Sequence, residues 1–519
     1  MDSNELAANH VQDDQIAKMK QKYLALFEPA TVAIVGASSS PLKWGFRILY
    51  NTLVGNFQGA LYAVNPKHTD VIGVDCYPSI AAIPDTIELA FIVLPPKYVL
   101  DGVRECVACG VKAVVVITAG FGEVEDEAAR AAQDEMVRIA DEAGMLLVGP
   151  NCAGIASPDP HSFYCGMIYR FPGGGSVSMV SQSGNVGMTV LTWAQLHQVG
   201  IARFVSSGNE AATRCEDFLQ FFAHDSKTKS ILAYIEGTRD GRRLFSVLRE
   251  TARRKPVVVV KGGRSQAGQK AAASHTGSLA STTALFEAAC RQAGATVVDD
   301  MYQAMEVASA FSHQPLPRGR RVVIVSEGGG WAVMGADACI AAGLDVIELH
   351  PDLIRELDGF LPGWWSRNNP IDLVAGNDRS VMSRAIEAIL KRPEVDAVLV
   401  LGVGYFCSRS ARLRSSQLAQ QLGMGKLIEM ATKMELHDVT RISSLIDLYG
   451  KPIITASDTV LIAYGAEPNE AIKEMERLGV YAYSSPTNAA KTLVHMAERY
   501  EFLKGIPRGQ HHADDRLAR

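Results

Sequence analysis

The feature that most constrains the fold is a repeated alternation of short β-branched runs with helical patterns, which begins at Thr31 and continues to about residue 500. This alternation predicts parallel strands joined by crossover helices, because parallel neighbours need a long return connection and a helix fills that space. Five strand-like runs precede residue 150 and predict one doubly wound domain: 31–35, 60–64, 89–93, 113–117 and 146–148.

Two further blocks of the same kind follow the first. After the break at Gly173–Gly175, the strand-like runs are 177–180, 202–205, 230–235, 257–260 and 296–298. A Pro/Gly-rich linker at 315–319 leads to a third block, whose runs are 321–325, 395–400 and 452–455. The expected organisation is an N-terminal tail (1–21), three α/β domains (22–158, 159–316 and 317–503) and a C-terminal tail (504–519).

Composition and charge exclude several classes of function. The net charge is −5 without basic blocks, so nucleic-acid binding has no electrostatic support. No run approaches the roughly 20 apolar residues of a membrane span, and the N-terminal segment is polar, unlike a signal peptide. Nine cysteines lie mostly in apolar runs, which suits reduced thiols better than disulfides. We therefore expect a cytoplasmic protein that binds neither nucleic acid nor membrane.

One C-x-x-C pair, Cys106 and Cys109, has the spacing of a zinc or redox motif. The pattern between Pro96 and Val111 predicts a helix, so packing is the favoured interpretation. No metal site is expected in the chain.

In open parallel sheets, ligands bind beyond the carboxyl ends of the strands. The loop from Gly36 to Gly45 follows the first strand and has the first glycine of the dinucleotide fingerprint without the others. The second strand ends at Asn65, and Lys67 follows where an NAD site would have an acidic residue. A cation there suits a phosphorylated ribose. NADP and coenzyme A both remain possible, and CoA fits better; an exposed turn is the alternative for Lys67.

Two later loops resemble each other. Ser181–Gly187 follows a strand of the second block, and Ser326–Trp331 follows a strand of the third. Both are expected to begin helices, whose unpaired N–H groups together would hold an anion such as a phosphorylated imidazole. Ordinary tight turns are the alternative.

A histidine lies among small, hydroxylated and glycine residues in the segment 273–280. The imidazole of His275 is a candidate phosphoryl acceptor, because it is nucleophilic near neutral pH. Glu236 ends a strand and is placed to hold one ring nitrogen. The alternatives are a loop role for His275 and an ion pair of Glu236 with Arg239 or Arg242.

Eight motifs carry a resemblance to a known family: G-A-S-S-S-P-L-K (36–43), V-N-P-K (64–67), A-G-F-G-E (119–123), G-P-N-C (149–152), S-Q-S-G (181–184), Y-I-E-G (234–237), S-H-T-G-S (274–278) and N-P-I-D-L (369–373). Over about residues 22–503 the chain resembles the α subunit of nucleoside-diphosphate-forming, in particular ADP-forming, acyl-CoA synthetases, which are related to succinyl-CoA synthetase. The resemblance implies a Rossmann-like CoA-binding domain followed by two flavodoxin-like domains.

The resemblance also implies roles for particular residues. His275 matches the transiently phosphorylated histidine, and Glu236 matches the carboxylate that supports it. The CoA-binding residues would be Gly36, Ser38, Ser39, Lys43, Asn65, Lys67, Pro95 and Asn151. The phosphate-binding residues would be Ser181, Ser183, Gly184, Gly328, Gly329 and Gly330.

The family reaction converts a carboxylic acid, CoA and ATP into acyl-CoA, ADP and phosphate through an acyl phosphate and phosphohistidine. Three α/β blocks leave none for an ATP-grasp domain, so the resemblance implies ATP or ADP with Mg²⁺ on a separate β subunit, in a homo- or hetero-oligomer. Trp331 and the pair Trp364–Trp365 depart from the family pattern and put acetate as the substrate in doubt. A non-catalytic CoA-binding regulatory or scaffold protein is the alternative. An NADP oxidoreductase is disfavoured because the glycine fingerprint is incomplete.

Overall fold

A computed structural model describes residues 3–268, 283–373, 380–458 and 469–506, with the side chains of residues 3–13 outside that description. The chain forms two compact units. The first comprises residues 1–196 and 200–308, and the second comprises 197–199 and 309–519.

The first sheet of unit 1 has the strand order β3-β4-β2-β1-β5-β6-β7. Its strands are β1 (Thr31–Val35), β2 (Ala60–Val64), β3 (Asp70–Val71), β4 (Val74–Tyr77), β5 (Leu89–Ile92), β6 (Ala113–Val116) and β7 (Leu146–Val148). Helices α2 (Trp44–Val54), α3 (Pro96–Ala108) and α4 (Glu127–Glu142) make the crossovers, with a short 3₁₀ turn at Ile80–Ala82. Apart from the β3–β4 hairpin the pairs are parallel, and β4-β2-β1-β5-β6-β7 is the Rossmann order.

The second sheet, also in unit 1, has the order β14-β13-β12-β10-β11-β8-β9. Its strands are β8 (Gly154–Ser157), β9 (Phe163–Gly166), β10 (Gly174–Ser181), β11 (Ile201–Ser206), β12 (Ser230–Ile235), β13 (Val257–Lys261) and β14 (Thr296–Val298). Helices α5 (Gly184–Leu196), α6 (Cys215–His224), α7 (Gly241–Arg254), α8 (Thr283–Gln292) and α9 (Met301–His313) accompany them. The five parallel strands have the flavodoxin-like order, and the antiparallel β8–β9 hairpin extends one edge.

The sheet of unit 2 repeats the flavodoxin-like order as β16-β15-β18-β19-β20, and β17 also pairs with β15. Its strands are β15 (Arg321–Ser326), β16 (Asp345–Val346), β17 (Ile371–Asp372), β18 (Ala397–Leu401), β19 (Ile453–Ala456) and β20 (Ala482–Tyr483). The helices are α10 (Gly329–Ala342), α11 (Pro351–Asp358), α12 (Val381–Leu390), α13 (Tyr405–Arg414), α14 (Gln417–Gln421), α15 (Gly425–Tyr449), α16 (Glu470–Arg477) and α17 (Pro486–Lys504).

The N-terminal segment differs from the expected tail, because residues 3–27 form helix α1 (Ser3–Phe27). Its last turns are anchored by aromatic packing: the ring of Tyr23 stacks on Phe221 with centroids 4.9 Å apart, and Phe27 stacks on the same ring at 5.4 Å. Large buried aromatic surfaces of this kind dominate packing energetics. The helix therefore continues the core of the second sheet, whose helix α6 carries Phe221.

The predicted fold class is confirmed: an N-terminal Rossmann-like sheet is followed by two flavodoxin-like sheets. Among the parallel strands of each sheet, the direction of the crossovers reverses between β1 and β5, between β10 and β12, and between β15 and β18. Loops on either side of such a reversal separate and leave a crevice at the carboxyl ends of the strands. The expected domain boundaries at 158 and 316 stay predictions; strand β8, which ends at Ser157, pairs with the second sheet.

Candidate functional site

The loop after β1 lies at the reversal point of the first sheet and is built on close backbone contacts. Gly36 has φ +94° and lies so near β5 that a Cβ atom would come 2.8 Å from the carbonyl oxygen of Val93. Gly45 packs on the same loop, where a Cβ would come 2.1 Å from the carbonyl oxygen of Gly36. Glycine is therefore required at both positions for the loop to lie tightly against the start of α2.

Asn65 connects the ends of β1 and β2. Its side-chain amide donates to the carbonyl of Ala37 at 2.7 Å, and its side-chain oxygen accepts from the N–H of Lys67 at 3.0 Å. Lys67 is exposed beside this turn, and Lys43, also exposed, caps the start of α2. Two cations at one sheet edge suit the phosphates of a nucleotide-like ligand.

The remaining expected CoA residues lie at the same end of the first sheet or close to it. Ser38 is buried and its hydroxyl accepts from the N–H of Ser40, whereas Ser39 is exposed. Pro95 is exposed and precedes α3. Asn151 has φ +59° and follows β7. Its side-chain amide donates to the side-chain oxygen of Asn209 at 3.2 Å.

The loop after β10 begins α5 as predicted. The buried hydroxyl of Ser181 donates to the carbonyl of Ser183 at 2.6 Å, which holds the loop in the turn that precedes the helix. Gly184 is the first helical residue, and a Cβ there would come 2.7 Å from Cβ of Ala153. The strand end thus presents a helix N-terminus that lies against the segment after β7.

Glu236 follows β12, on the other side of the reversal point, and its carboxylate lies near the hydroxyl of Tyr234. Burial raises the pKa of Tyr234 to about 12, and the charge of Glu236 adds to that shift. Lys261, at the end of the neighbouring strand, donates from its amino group to the carbonyl of Glu236 at 2.6 Å. Burial lowers the pKa of Lys261, and the charge of Glu236 opposes that shift. Arg239, which the sequence offered as an alternative partner of Glu236, donates to the carbonyl of Asn209 at 3.3 Å.

A buried network that sequence reasoning missed holds the Glu236 loop in place. The side-chain oxygen of Gln182 accepts from the N–H groups of Glu236 at 2.6 Å and Gly237 at 3.1 Å. Its side-chain amide donates to the carbonyl of Gly237 and to Glu210, both at 2.9 Å. Glu210 also accepts from the hydroxyl of Ser207 at 2.7 Å, and burial raises its pKa to about 7. Gln182 lies inside the S-Q-S-G motif, which is the one sequence signal that pointed to this network.

The corresponding loop in unit 2 has the same local construction. The hydroxyl of Ser326, the last residue of β15, donates to the carbonyl of Gly328 at 2.8 Å. Gly328 caps α10, and Gly329 and Gly330 begin the helix as predicted. A Cβ at Gly329 would come 3.1 Å from a carboxylate oxygen of Asp372, so the end of β17 adjoins this helix start.

A cavity of about 410 Å³ opens beside the Gly328 loop, a volume typical of small-molecule sites. Apolar side chains on several elements line it, including Trp331, Leu373, Met382 and Phe406. The other two tryptophans singled out from the sequence do not line it: Trp365 is buried and donates to a carboxylate of α11 at 2.8 Å, and Trp364 is 75% exposed.

The charged residues among the described lining of this cavity all carry carboxylates: Glu327, Glu435, Asp438 and Asp458. Glu435 accepts from the N–H groups of Gly404 at 3.1 Å and Phe406 at 3.3 Å, so it caps the start of α13. Burial raises the pKa of Asp438 to about 6. The cavity therefore combines apolar walls with acidic hydrogen-bonding groups.

His275 and its S-H-T-G-S motif lie outside the described residues, so the expected contact with Glu236 stays a prediction. Cys106 and Cys109 lie on α3 and at its C-terminal end, as the sequence predicted, and Cys106 is fully buried. Within the described ranges, no group of three or more His, Cys, Asp or Glu residues is arranged to hold a metal ion. No helix in these ranges is long and apolar enough to cross a membrane.

Each of the three sheets corresponds to a known domain family. Residues 30–158 match the CoA binding domain, 174–311 the succinyl-CoA ligase like flavodoxin domain, and 322–411 the Ligase-CoA domain. The acetate–CoA ligase (ADP-forming) I α subunit of Pyrococcus furiosus is 35% identical over 474 residues, which cover 90% of this chain and 96% of that subunit.

Two further similarities extend over most of the chain. The 4-hydroxybutyrate–CoA ligase (ADP-forming) of Nitrosopumilus maritimus is 31% identical over 480 residues, which cover 91% of this chain and 66% of that protein. Among solved structures, the dinucleotide forming acetyl-coenzyme A synthetase 1 of Candidatus Korarchaeum cryptofilum, in complex with phosphate and ADP, superposes with a TM-score of 0.79. It is 30% identical, and the match covers 93% of this chain and 98% of that one.

A CoA-binding domain followed by two flavodoxin-like ligase domains defines a ligase of the succinyl-CoA synthetase superfamily. Within it, the chain belongs to the ADP-forming acyl-CoA synthetases as their CoA-binding α subunit. The chain is thus the catalytic CoA-binding subunit of an acid–thiol ligase that uses CoA and a nucleotide. The non-catalytic alternative receives no support from these relatives.

Proposed function

We propose that His275 relays the phosphoryl group between the nucleotide and the carboxylic acid, and that Glu236 orients its imidazole. In the direction of thioester synthesis, a ring nitrogen of His275 attacks the γ-phosphorus of ATP and ADP leaves. A carboxylate oxygen of the acid then attacks that phosphorus, which forms the acyl phosphate and frees His275. The CoA sulfur attacks the acyl carbon and phosphate leaves. Dividing the reaction in this way replaces one three-substrate step with separate group transfers.

The observation that carries this proposal is the position of Glu236 beside the start of α5. The Gln182 side chain, in the loop that begins α5, hydrogen bonds with the N–H groups of Glu236 and Gly237. The loop that supplies the carboxylate is thereby tied to a helix N-terminus, the part of a helix that stabilises an anion. We assign Ser181, Ser183 and Gly184 to holding phosphate at this point. Gly328, Gly329 and Gly330 take the corresponding role at α10.

CoA is assigned to the carboxyl edge of the first sheet. The exposed cations Lys43 and Lys67 suit its phosphates, and the tight loop at Gly36 lies at the same end of the sheet. Asn65 orders this loop by its bond to Ala37. The neighbouring residues Ser38, Ser39, Pro95 and Asn151 complete the proposed site.

We assign the nucleotide and Mg²⁺ to an ATP-grasp partner subunit. Similarity to the α subunit of Pyrococcus furiosus supports a two-subunit enzyme for this chain. A cytoplasmic location is part of the proposal and is supported by the nine cysteines, which are free thiols.

The test is phosphoryl loading of the reconstituted enzyme. The chain, mixed with its ATP-grasp subunit, Mg²⁺ and γ-labelled ATP, is expected to take up acid-labile label. His275→Ala abolishes this uptake, whereas His224→Ala, which removes a histidine from the end of α6, leaves it unchanged. Label that persists in His275→Ala contradicts the assignment.

The cavity beside Gly328 is the proposed site of the acyl group. Its volume exceeds what an acetyl group needs, and its described charged lining residues are all acidic, which disfavours a second carboxylate on the substrate. We therefore propose a monocarboxylic acid with an apolar body larger than acetate. A hydrogen-bond donor at its far end would match Asp438, whereas its carboxylate would lie towards the start of α10.

Thioester formation across a panel of acids tests this assignment. We expect kcat/KM to be higher for medium-sized monocarboxylic acids, including ω-hydroxy acids, than for acetate or dicarboxylic acids. Trp331→Ala, which removes a wall of the cavity, is expected to shift this order, whereas the exposed Trp364→Ala is not. If the wild-type enzyme prefers acetate and both variants keep that preference, the assignment is wrong.

A further inference from the structure

The segment after β11 contacts two loops that belong to different sheets of unit 1. The side chains of Asn209 and Glu210 are adjacent in sequence and buried. Asn209 contacts the CoA-binding domain, whereas Glu210 contacts the loop that contains Gln182. The Asn209 amide donates to Glu123 at 2.5 Å and to Gln133 at 3.2 Å, both in the CoA-binding domain. The Glu210 carboxylate accepts from Gln182, which holds the Glu236 loop.

The contact on the CoA side is tightly organised. The carboxylate of Glu123, in the A-G-F-G-E motif, accepts from the N–H groups of Gly120 at 2.5 Å and Phe121 at 3.2 Å. Burial acts to raise its pKa, but the hydrogen bonds from Gly120 and Asn209 lower the pKa below its ordinary value. The carboxylate therefore has defined donors in both the first sheet and the segment after β11.

This A-G-F-G-E loop also adjoins the proposed CoA site. The hydroxyl of Thr118, just before the motif, donates to the carbonyl of Leu94 at 2.7 Å. The next residue, Pro95, belongs to the loop assigned to CoA. The loop that contains Glu123 therefore lies beside the end of the first sheet that is assigned to CoA.

The backbone between the two contacts is held in one conformation. Gly208 has φ +61°, and a Cβ there would come 2.3 Å from the carbonyl oxygen of Pro150. The N–H of Asn209 donates to the same carbonyl at 2.9 Å. Glu210 has φ +53°, a left-handed conformation that is uncommon for a residue with a side chain. Such conformations persist where surrounding contacts determine them, and here those contacts include both domains.

We propose that Asn209 and Glu210 are positioning residues that set the place of Glu236 relative to the CoA-binding domain, through Glu123 on one side and Gln182 on the other. This inference rests on the proposed role of Glu236. The Oε2 atom of Glu210 accepts from the Gln182 amide nitrogen and so fixes the orientation of that amide, both when the carboxyl is ionised and when its Oε1 atom carries a proton. With that orientation set, the Gln182 oxygen accepts from Glu236 N–H. Reversing the amide would place an NH₂ group against that N–H.

The test is a pair of exchanges that conserve shape. Glu210→Gln and Gln182→Glu each disturb the donor–acceptor match between the two side chains. The double variant restores the bond between them with the donor reversed, whereas the carbonyl of Gly237 loses its donor whenever Gln182 is replaced by Glu. We expect each single change to lower kcat and the rate of His275 labelling by about tenfold, which corresponds to about 1.4 kcal/mol, with KM for CoA nearly unchanged. The double variant is expected to recover part of both rates and to be faster than either single variant. Glu135→Gln on α4, which removes a partly exposed carboxylate, is the matched control and is expected to keep wild-type rates.

The same logic applies on the CoA side. Asn209→Asp places a second carboxylate against Glu123 and is expected to lower kcat. Adding Glu123→Gln supplies an amide donor to that carboxylate and is expected to recover part of kcat, because the contacts with Phe121 N–H and Gln133 stay disturbed. This pair decides the question if a Glu210 or Gln182 variant does not fold, as judged by its melting temperature. Single variants with wild-type kcat overturn the proposal, and so do double variants that are as slow as the product of the singles. If the wild-type enzyme shows no His275-dependent labelling, the proposed function itself fails; normal labelling with unaffected variants overturns only the positioning role.

Discussion

The charge state of Glu210 makes stability depend on pH in a way that one substitution isolates. Its carboxyl is fully buried, and this burial raises the pKa from 4.5 to about 7, with the charge of Glu216 adding to the shift and hydrogen bonds from Ser207 and Gln182 opposing it. The neighbouring thiol of Cys215 is also buried, and its pKa is raised as well. The folded state therefore holds a proton that the unfolded state releases.

The sign and size of the effect follow from linkage. Because the folded-state pKa is raised, the stabilising contribution of protonated Glu210 is complete below about pH 4.5 and is lost as pH rises through about 7. At about 1.36 kcal/mol for each pKa unit, the loss is roughly 3 kcal/mol. Glu210→Gln cannot titrate. The unfolding free energy of the wild type minus that of this variant is therefore expected to fall by roughly 3 kcal/mol as pH rises from about 4.5 to above about 7. The hydrogen bonds that the variant loses change this difference by a constant that does not depend on pH.

Thermal unfolding measured from about pH 5 to about pH 8 checks this expectation. The melting temperature of the wild type minus that of Glu210→Gln is expected to fall by roughly 5 °C across the range for a unit of this size. Glu135→Gln, at a partly exposed site paired with Arg138, is expected to show no such fall. A difference that stays constant, or that grows with pH, refutes the reasoning, because it would mean that Glu210 is ionised in the folded protein throughout.

Three further predictions concern other parts of unit 1. Gly45→Ala places a Cβ 2.1 Å from the carbonyl oxygen of Gly36, so KM for CoA is expected to rise about tenfold. Gly241→Ala, whose Cβ meets open space, is the control and is expected to leave KM unchanged. Equal KM values for the two variants contradict the assigned CoA loop. Phe27→Ala is expected to cost about 3 to 5 kcal/mol by chemical denaturation, and a loss below about 1 kcal/mol would mean that α1 is not part of this core. Lys261→Met removes a donor to the Glu236 loop and keeps the apolar stem, so labelling is expected to slow about tenfold with little change in melting temperature; unchanged labelling refutes this role.

The sequence predicted the central strands well because they are buried on both faces. Strands such as β6 and β13 are continuous β-branched runs, which leave a clear pattern, and both were predicted to within one residue at either end. The short strands β3, β4, β16, β17 and β20 have no such signal, since two to four residues show no periodicity. The hairpin β8–β9 was missed for a similar reason, because its pairing with β11 depends on a partner strand about fifty residues away.

The tryptophans show where residue type alone leaves the role open. Trp331, Trp364 and Trp365 were equally compatible with a pocket or a core. In the structure they have three different environments: Trp331 lines a cavity, Trp364 is exposed and Trp365 is buried. Adjacent residues can differ so sharply because burial depends on the packing of distant elements around them.

The sequence by itself determined the order of α/β blocks and the position of Glu236 and Ser181–Gly184 in loops at the ends of strands. These features are local, since periodicity and strand-to-helix turns depend on neighbouring residues. Only the tertiary structure decided that Gln182, Glu210 and Asn209 join the CoA-binding domain to the Glu236 loop. A hydrogen bond between buried side chains depends on which loops the sheet order brings together, and that order is a property of the whole domain.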